Sequence, residues 1–161
     1  KELEKLFNQN SLNDGWPPAN GGYNIEDNVA IVKGQKYDRY GGAVGVDEKG
    51  NPILVGTFTS PINGIPYSFT QRALNKSEKE YDFYYEIEVI KDLPFTAQNA
   101  DIIPWYGFEG KGKQSMWKIP IAENGYEKTW NQLAEEGYVK ITIISSPSNK
   151  FSDKVGTVIQ N

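Results

Sequence analysis

The chain has 161 residues, 38% of them hydrophobic and 13% aromatic, with a formal net charge of -4 and a pI near 5.0. That is enough apolar material for one folded domain with a core, and it leaves no basic surplus to displace counterions from nucleic acid. The chain contains neither cysteine nor histidine, which excludes disulfides, thiolate catalysis, cysteine-ligated zinc and any triad built on imidazole.

Lys1 to Asn10 reads as a short helix with Leu3, Leu6 and Phe7 on one face. Starting on Lys1 in a polar stretch, residues 1–12 read as a lead-in left from a longer protein, and residues 13–161 as the domain proper. Asn13-Asp14-Gly15-Trp16-Pro17-Pro18 breaks the helix, and the stretch to Gly22 is expected to cross the surface. Val29 to Val32 is a brief apolar run. Asp47 to Gly50 is turn chemistry, Ile53 to Phe58 reads as a strand, and Pro61 to Pro66 is another turn.

Phe83 to Lys91 is the clearest strand: Phe83, Tyr85, Ile87 and Val89 alternate with Tyr84, Glu86, Glu88 and Ile90. Ser115 to Ile119 is a further strand. Tyr126 to Glu136 predicts a helix with Trp130, Leu133 and Ala134 on one face and Gly137 as its stop. Tyr138 to Ile144 returns as a strand, and Val155 to Ile159 closes as an edge strand. These elements predict an α+β fold: one domain, mainly antiparallel sheet, with an N-terminal helix and one late internal helix. No run of about 18 apolar residues appears, so no membrane insertion by a helix of this domain is expected.

Chemistry is left to carboxylates, arginines, lysines, tyrosines, amides and backbone groups. The richest stretch is Ile103 to Gln114, where Gly107, Gly110 and Gly112 stand among Trp105, Tyr106 and Phe108. Glycines let backbone approach a ligand closely, and aromatics wall a pocket. Gln114 stands at the junction of that loop and the next strand, where functional side chains collect. A plain turn between strands with packing aromatics accounts for the same residues equally well. Only two arginines, Arg39 and Arg72, stand against fifteen lysines. Arginine is the residue for bidentate phosphate contacts. A surface ion pair, such as Asp38 with Arg72, accounts for either. Glu86 and Glu88 read as exposed residues of a solvated strand face, and Glu109, inside the glycine loop, is the better carboxylate candidate. No metal-loop spacing is present.

Several pieces in order resemble one family. They are Asn13-Asp14-Gly15; Gly34-Gln35-Lys36-Tyr37-Asp38-Arg39-Tyr40-Gly41; Pro66-Tyr67 with Arg72-Ala73-Leu74; Tyr81 to Ile87; and Pro104-Trp105-Tyr106-Gly107 with Gly110, Gly112 and Gln114. Together, from about Asn13 to about Val139, they resemble the tuberculosis necrotizing toxin family. The resemblance implies the C-terminal toxin domain of a larger secreted bacterial protein that hydrolyses NAD or NADP to nicotinamide and ADP-ribose in the cytosol of a target cell. It implies Gln114 and Arg72 as catalytic residues, and Arg39, Tyr40, Tyr67, Trp105 and Phe108 as substrate-binding residues. The dinucleotide is then substrate, and neither cofactor nor metal is called for. A cognate immunity protein is implied as partner, covering a mouth formed by Tyr40, Trp105 and the Phe108 to Lys113 loop. The toxin that names the family uses an active-site histidine. This chain has none, and the counterpart falls in or near Tyr81 to Tyr85. Two other readings stay open: an ADP-ribosyltransferase toxin, which breaks the same bond, and a non-catalytic β-rich ligand-binding module.

Overall fold

The computed structural model describes Glu4 and residues 21–161; the helix expected over Lys1 to Asn10 lies outside the described residues. In chain order the elements are β1 (Gly22–Ala30), β2 (Lys36–Gly41), β3 (Ala43–Val46), β4 (Pro52–Leu54), β5 (Phe58–Pro61), β6 (Phe83–Val89), β7 (Thr96–Ile102), β8 (Lys113–Trp117), the helix α1 (Trp130–Glu135), β9 (Val139–Ser145) and β10 (Val158–Ile159). Eight strands form one sheet in the order β1-β7-β8-β5-β2-β6-β9-β10, and β3 pairs with β4 beside it. Every pairing is antiparallel. The fold is thus mainly antiparallel sheet with little helix, in a single domain.

β6 alternates as its sequence requires, with Phe83, Tyr85, Ile87 and Val89 buried and the residues between them partly exposed. Its register sets Tyr37 of β2 beside Ile87, and Ile141 and Ile143 of β9 beside Ile87 and Tyr85. Trp117 of β8 joins this face and meets Trp130 of α1 at 4.9 Å between ring centroids and Tyr37 at 5.1 Å, both edge-on. Trp130, Leu133 and Ala134 close the core over the sheet.

The late helix is shorter than the expected span from Tyr126 to Glu136. Thr129 caps it: its side chain accepts from the Gln132 amide while Gln132 returns a bond to the Thr129 amide. The residues before the cap turn back on themselves instead, with Ala122 N–H bonded to Tyr126 C=O at 2.7 Å. The expected strand from Ile53 to Phe58 is two strands, because Gly56 at φ +121 breaks the run between β4 and β5. β1 and β7, in contrast, carry no readable alternation. β1 pairs with β7 through two register shifts, next to Asn24 and Asn28 in left-handed backbone, so its apolar residues lose their period.

The loop from Ile103 to Gly112 is held against the segment from Tyr67 to Arg72. Gly110 N–H donates to Thr70 C=O at 3.1 Å, and Gly112 N–H to Gln71 C=O at 3.0 Å. A Cβ on Gly112 would lie 2.9 Å from the Gln71 carbonyl oxygen, so only glycine fits.

Candidate active site

Asp38 pairs with Ser60, Thr59 with Ser115, and Gln114 with Ala100. Side chains alternate along each strand, so Asp38, Ser60 and Gln114 share the sheet face opposite Tyr37 and Trp117. Tyr40 and Tyr84, paired across β2 and β6, lie on that face too. Over it opens a cleft of about 790 Å³, within the roughly 300–1,000 Å³ of small-molecule sites.

Five of the seven expected site residues line this cleft: Arg39, Tyr40, Arg72, Trp105 and Gln114. Tyr67 and Phe108 do not. The Tyr67 carbonyl accepts from Arg72 at 2.9 Å, and its ring backs Gly112. Phe108 packs edge-on against Phe69 at 5.6 Å, and Phe69 in turn against Tyr40 at 5.0 Å. Both aromatics therefore brace the wall from behind. Trp105 is 1% exposed; it walls the cleft and offers no surface to a partner at the mouth. Gln114 is the second residue of β8, so a hydrogen-bonded strand carries it and the loop does not. Glu109 stands outside the cleft, where it accepts a bond from the Thr70 hydroxyl at 3.3 Å.

Arg72 and Asp38 do form an ion pair, but a buried one, with side chains 3% and 0% exposed. The guanidinium is bidentate, Nη1 to Oδ1 at 2.6 Å and Nη2 to Oδ2 at 2.9 Å, with a further bond from Nη2 to the Tyr67 carbonyl. It also lies over the rings of Tyr40 and Tyr84, at 5.0 and 5.6 Å from their centroids. Burial works against its charge, yet the bond and the charge of Asp38 outweigh that and hold it protonated more firmly than a free arginine. The Tyr84 hydroxyl donates to Asp38 Oδ2 at 2.5 Å. Burial first, and then the bond to Asp38, pushes its pKa well up, so it stays a neutral donor.

Arg39 does different work. The ladder between β2 and β5 holds two residue pairs only. Past it, Arg39 bridges the strands by donating Nη1 to the Phe58 carbonyl at 2.7 Å. Its guanidinium lies on the backbone of Gly56, where a Cβ would stand 2.3 Å from Nη2. Among the described residues its Nε is buried without an acceptor.

Sequence reasoning treated Asp38 only as a surface partner and passed over Tyr84. A signal existed: Tyr84 is the one aromatic on the strand face otherwise carrying Glu86 and Glu88, and it stands opposite Tyr40. Tyr81 and Asp82 also line the cleft, in the stretch where the family's histidine was expected. Among the described residues three cations (Arg39, Arg72, Lys76) and three carboxylates (Asp38, Glu80, Asp82) line it, a balance near zero. Among the described residues no group of three or more acidic side chains is arranged to hold a metal ion.

A family model described as tuberculosis necrotizing toxin matches residues 30–141, which takes in every cleft residue named here. A solved structure of tuberculosis necrotizing toxin complexed with its immunity factor is 19% identical, with a TM-score of 0.48, over 78% of this chain and 60% of that chain. The chain thus spans about 60% of that protein's length. No curated protein matches.

Proposed function

The chain belongs to the tuberculosis necrotizing toxin family, and on that premise we propose that it is an NAD(P) glycohydrolase, releasing nicotinamide and ADP-ribose. The observation that carries this reading is the convergence of Arg39, Tyr40, Arg72, Trp105 and Gln114, drawn from distant parts of the chain, on one cleft.

The reaction suits these residues. The pyridinium of the substrate is already a cationic leaving group, so the bond from ribose C1′ to nitrogen breaks without a general acid. Its electron pair leaves with nicotinamide, and C1′ becomes oxocarbenium-like. Water then attacks C1′ and loses a proton to solvent. Gln114, held on β8, is the neutral amide that orients that water or a ribose hydroxyl. Tyr40 offers an aromatic face beside the nicotinamide. Arg39 supplies the cation for the phosphates, while Arg72, spent on Asp38, holds the Tyr40 and Tyr84 rings in place. Rate comes chiefly from fixed geometry and preset dipoles. The test is nicotinamide release from NAD by the purified chain, with free ADP-ribose and no labelled protein. ADP-ribose on protein instead would mean a transferase, and intact NAD would leave a binding module.

Destroying NAD harms the cell that makes the domain. The reading therefore includes secretion within a larger bacterial protein, action in the cytosol of a target cell, and a cognate immunity protein in the producer. The exposed Lys111 and Lys113, at the end of the loop and the start of β8, suit an acidic partner. Expression of the active chain in bacteria should lower cellular NAD unless that partner is present; normal growth with unchanged NAD would count against toxicity.

A further inference from the structure

Tyr106 at φ +52 and Gly107 at φ +77 are consecutive residues in left-handed backbone. Their two N–H groups point the same way, a concave pair of donors suited to an anion. Tyr106 lines the cleft, and among the described residues a Cβ built on Gly107 would meet nothing within 4 Å. The turn is locked behind it by the Phe108 amide, bonded to the Trp105 carbonyl at 2.9 Å. A bulky residue in left-handed backbone is uncommon, and such strain collects at ligand sites. The pair already holds an anion. Glu4 Oε2 accepts from the Tyr106 amide, and Oε1 from the Gly107 amide at 3.3 Å.

We propose that the Tyr106 and Gly107 amides are a phosphate cradle of the cleft, and that the Glu4 carboxylate seated in them is a built-in competitor for that phosphate. Charge supports this. A dinucleotide brings two or more negative charges to a cleft whose own charges nearly cancel, and the fork of Arg72 is committed to Asp38. Arg39, with one guanidinium nitrogen on the Phe58 carbonyl, and Lys76 are then a thin supply of donors. Two preset backbone donors supply what is missing without adding a positive charge. A carboxylate and a phosphate oxygen want the same donors, so Glu4 must leave before the phosphate enters.

The identity of the ligand rests on the dinucleotide reading; the cradle itself does not. The experiment titrates the isotope-labelled chain and its Glu4→Gln variant with ADP-ribose and, separately, with inorganic pyrophosphate, following backbone amides by NMR. Tyr106 and Gly107 should move with both ligands, and Glu4→Gln should tighten each by about threefold to tenfold, the scale of exchanging a charged acceptor for a neutral one. Movement with pyrophosphate but not with ADP-ribose keeps the cradle and counts against the dinucleotide. Shifts at Arg39 and Tyr40 with Tyr106 and Gly107 silent, or silence with both ligands, overturns the cradle. An unchanged affinity in Glu4→Gln, with a lowered Tm, makes Glu4 a structural tie and overturns the competitor. Nicotinamide release, measured alongside, reports on the reaction independently.

Discussion

At the scale of the residue, the proposed reaction rests on Gln114, whereas Asp38 is a buried partner of Arg72. Gln114 stands on β8 with its side chain in the cleft, so Gln114→Ala removes a polar group without opening the core. Its nicotinamide release should fall by about 10² or more, as when one transition-state hydrogen bond is lost, with Tm unchanged. Near-normal turnover would take Gln114 out of the mechanism. Asp38 is different, because both members of its ion pair are buried. Asp38→Ala leaves the Arg72 guanidinium without a counter-charge and should cost about 3–5 kcal/mol of stability. Removing both charges, as Asp38→Ala with Arg72→Ala, should cost less than the sum of the single changes. Denaturant titrations of the three variants measure this, and strict additivity would show that the pair is not coupled.

At the scale of the element, the cleft depends on the contact between the Ile103 to Gly112 loop and the Tyr67 to Arg72 segment. Gly112 is the tightest point of that contact, with the Gln71 carbonyl oxygen 2.9 Å from where a Cβ would be. Carbonyl and loop are both backbone, so neither yields cheaply. Gly112→Ala should lower stability by about 1–3 kcal/mol, or roughly 2–12 °C in Tm at 2–4 °C per kcal/mol. It should also weaken substrate handling, since Trp105 and Tyr106 ride on the same loop. A variant with wild-type Tm and KM would mean that the loop is not clamped there. By contrast, Lys111 is exposed on the same loop, and Lys111→Ala should leave the stability within about 0.5 kcal/mol of wild type.

At the scale of the whole molecule, buried phenols set an alkaline limit. Burial pushes both Tyr37 and Tyr85 up to about 12 from the model-compound value of 10.0. A folded-state pKa above the unfolded one means that the folded chain holds its protons longer. Their contribution is therefore fully present below about pH 10 and is lost as pH rises from 10 toward 12, at about 1.4 kcal/mol per group per pH unit. Unfolding followed by circular dichroism should then coincide with tyrosinate absorbance in that window. Ionisation of all ten tyrosines near pH 10 with the fold retained would contradict the burial.

Strands β6 and β9, the core face of α1 and a mainly antiparallel sheet were legible in the sequence, because each buries one face and the other meets solvent, which writes a period into the residues. Family membership was legible too, since it is carried by short stretches in order. β1 and β7 were not, because bulges and polar composition erase the period and only pairing with a neighbour makes them strands. Tyr67, Phe108 and Gln114 show the same division within the site. The sequence by itself singled out an amide, two arginines and several aromatics as candidates, and determined which residue types were on hand. Only the tertiary structure decided that Gln114 faces the cleft while Tyr67 and Phe108 stand behind its wall. It also decided that Arg72 answers Asp38 from within the protein. Burial and strand pairing are relations between distant residues, and no local pattern encodes which side of a wall a side chain takes.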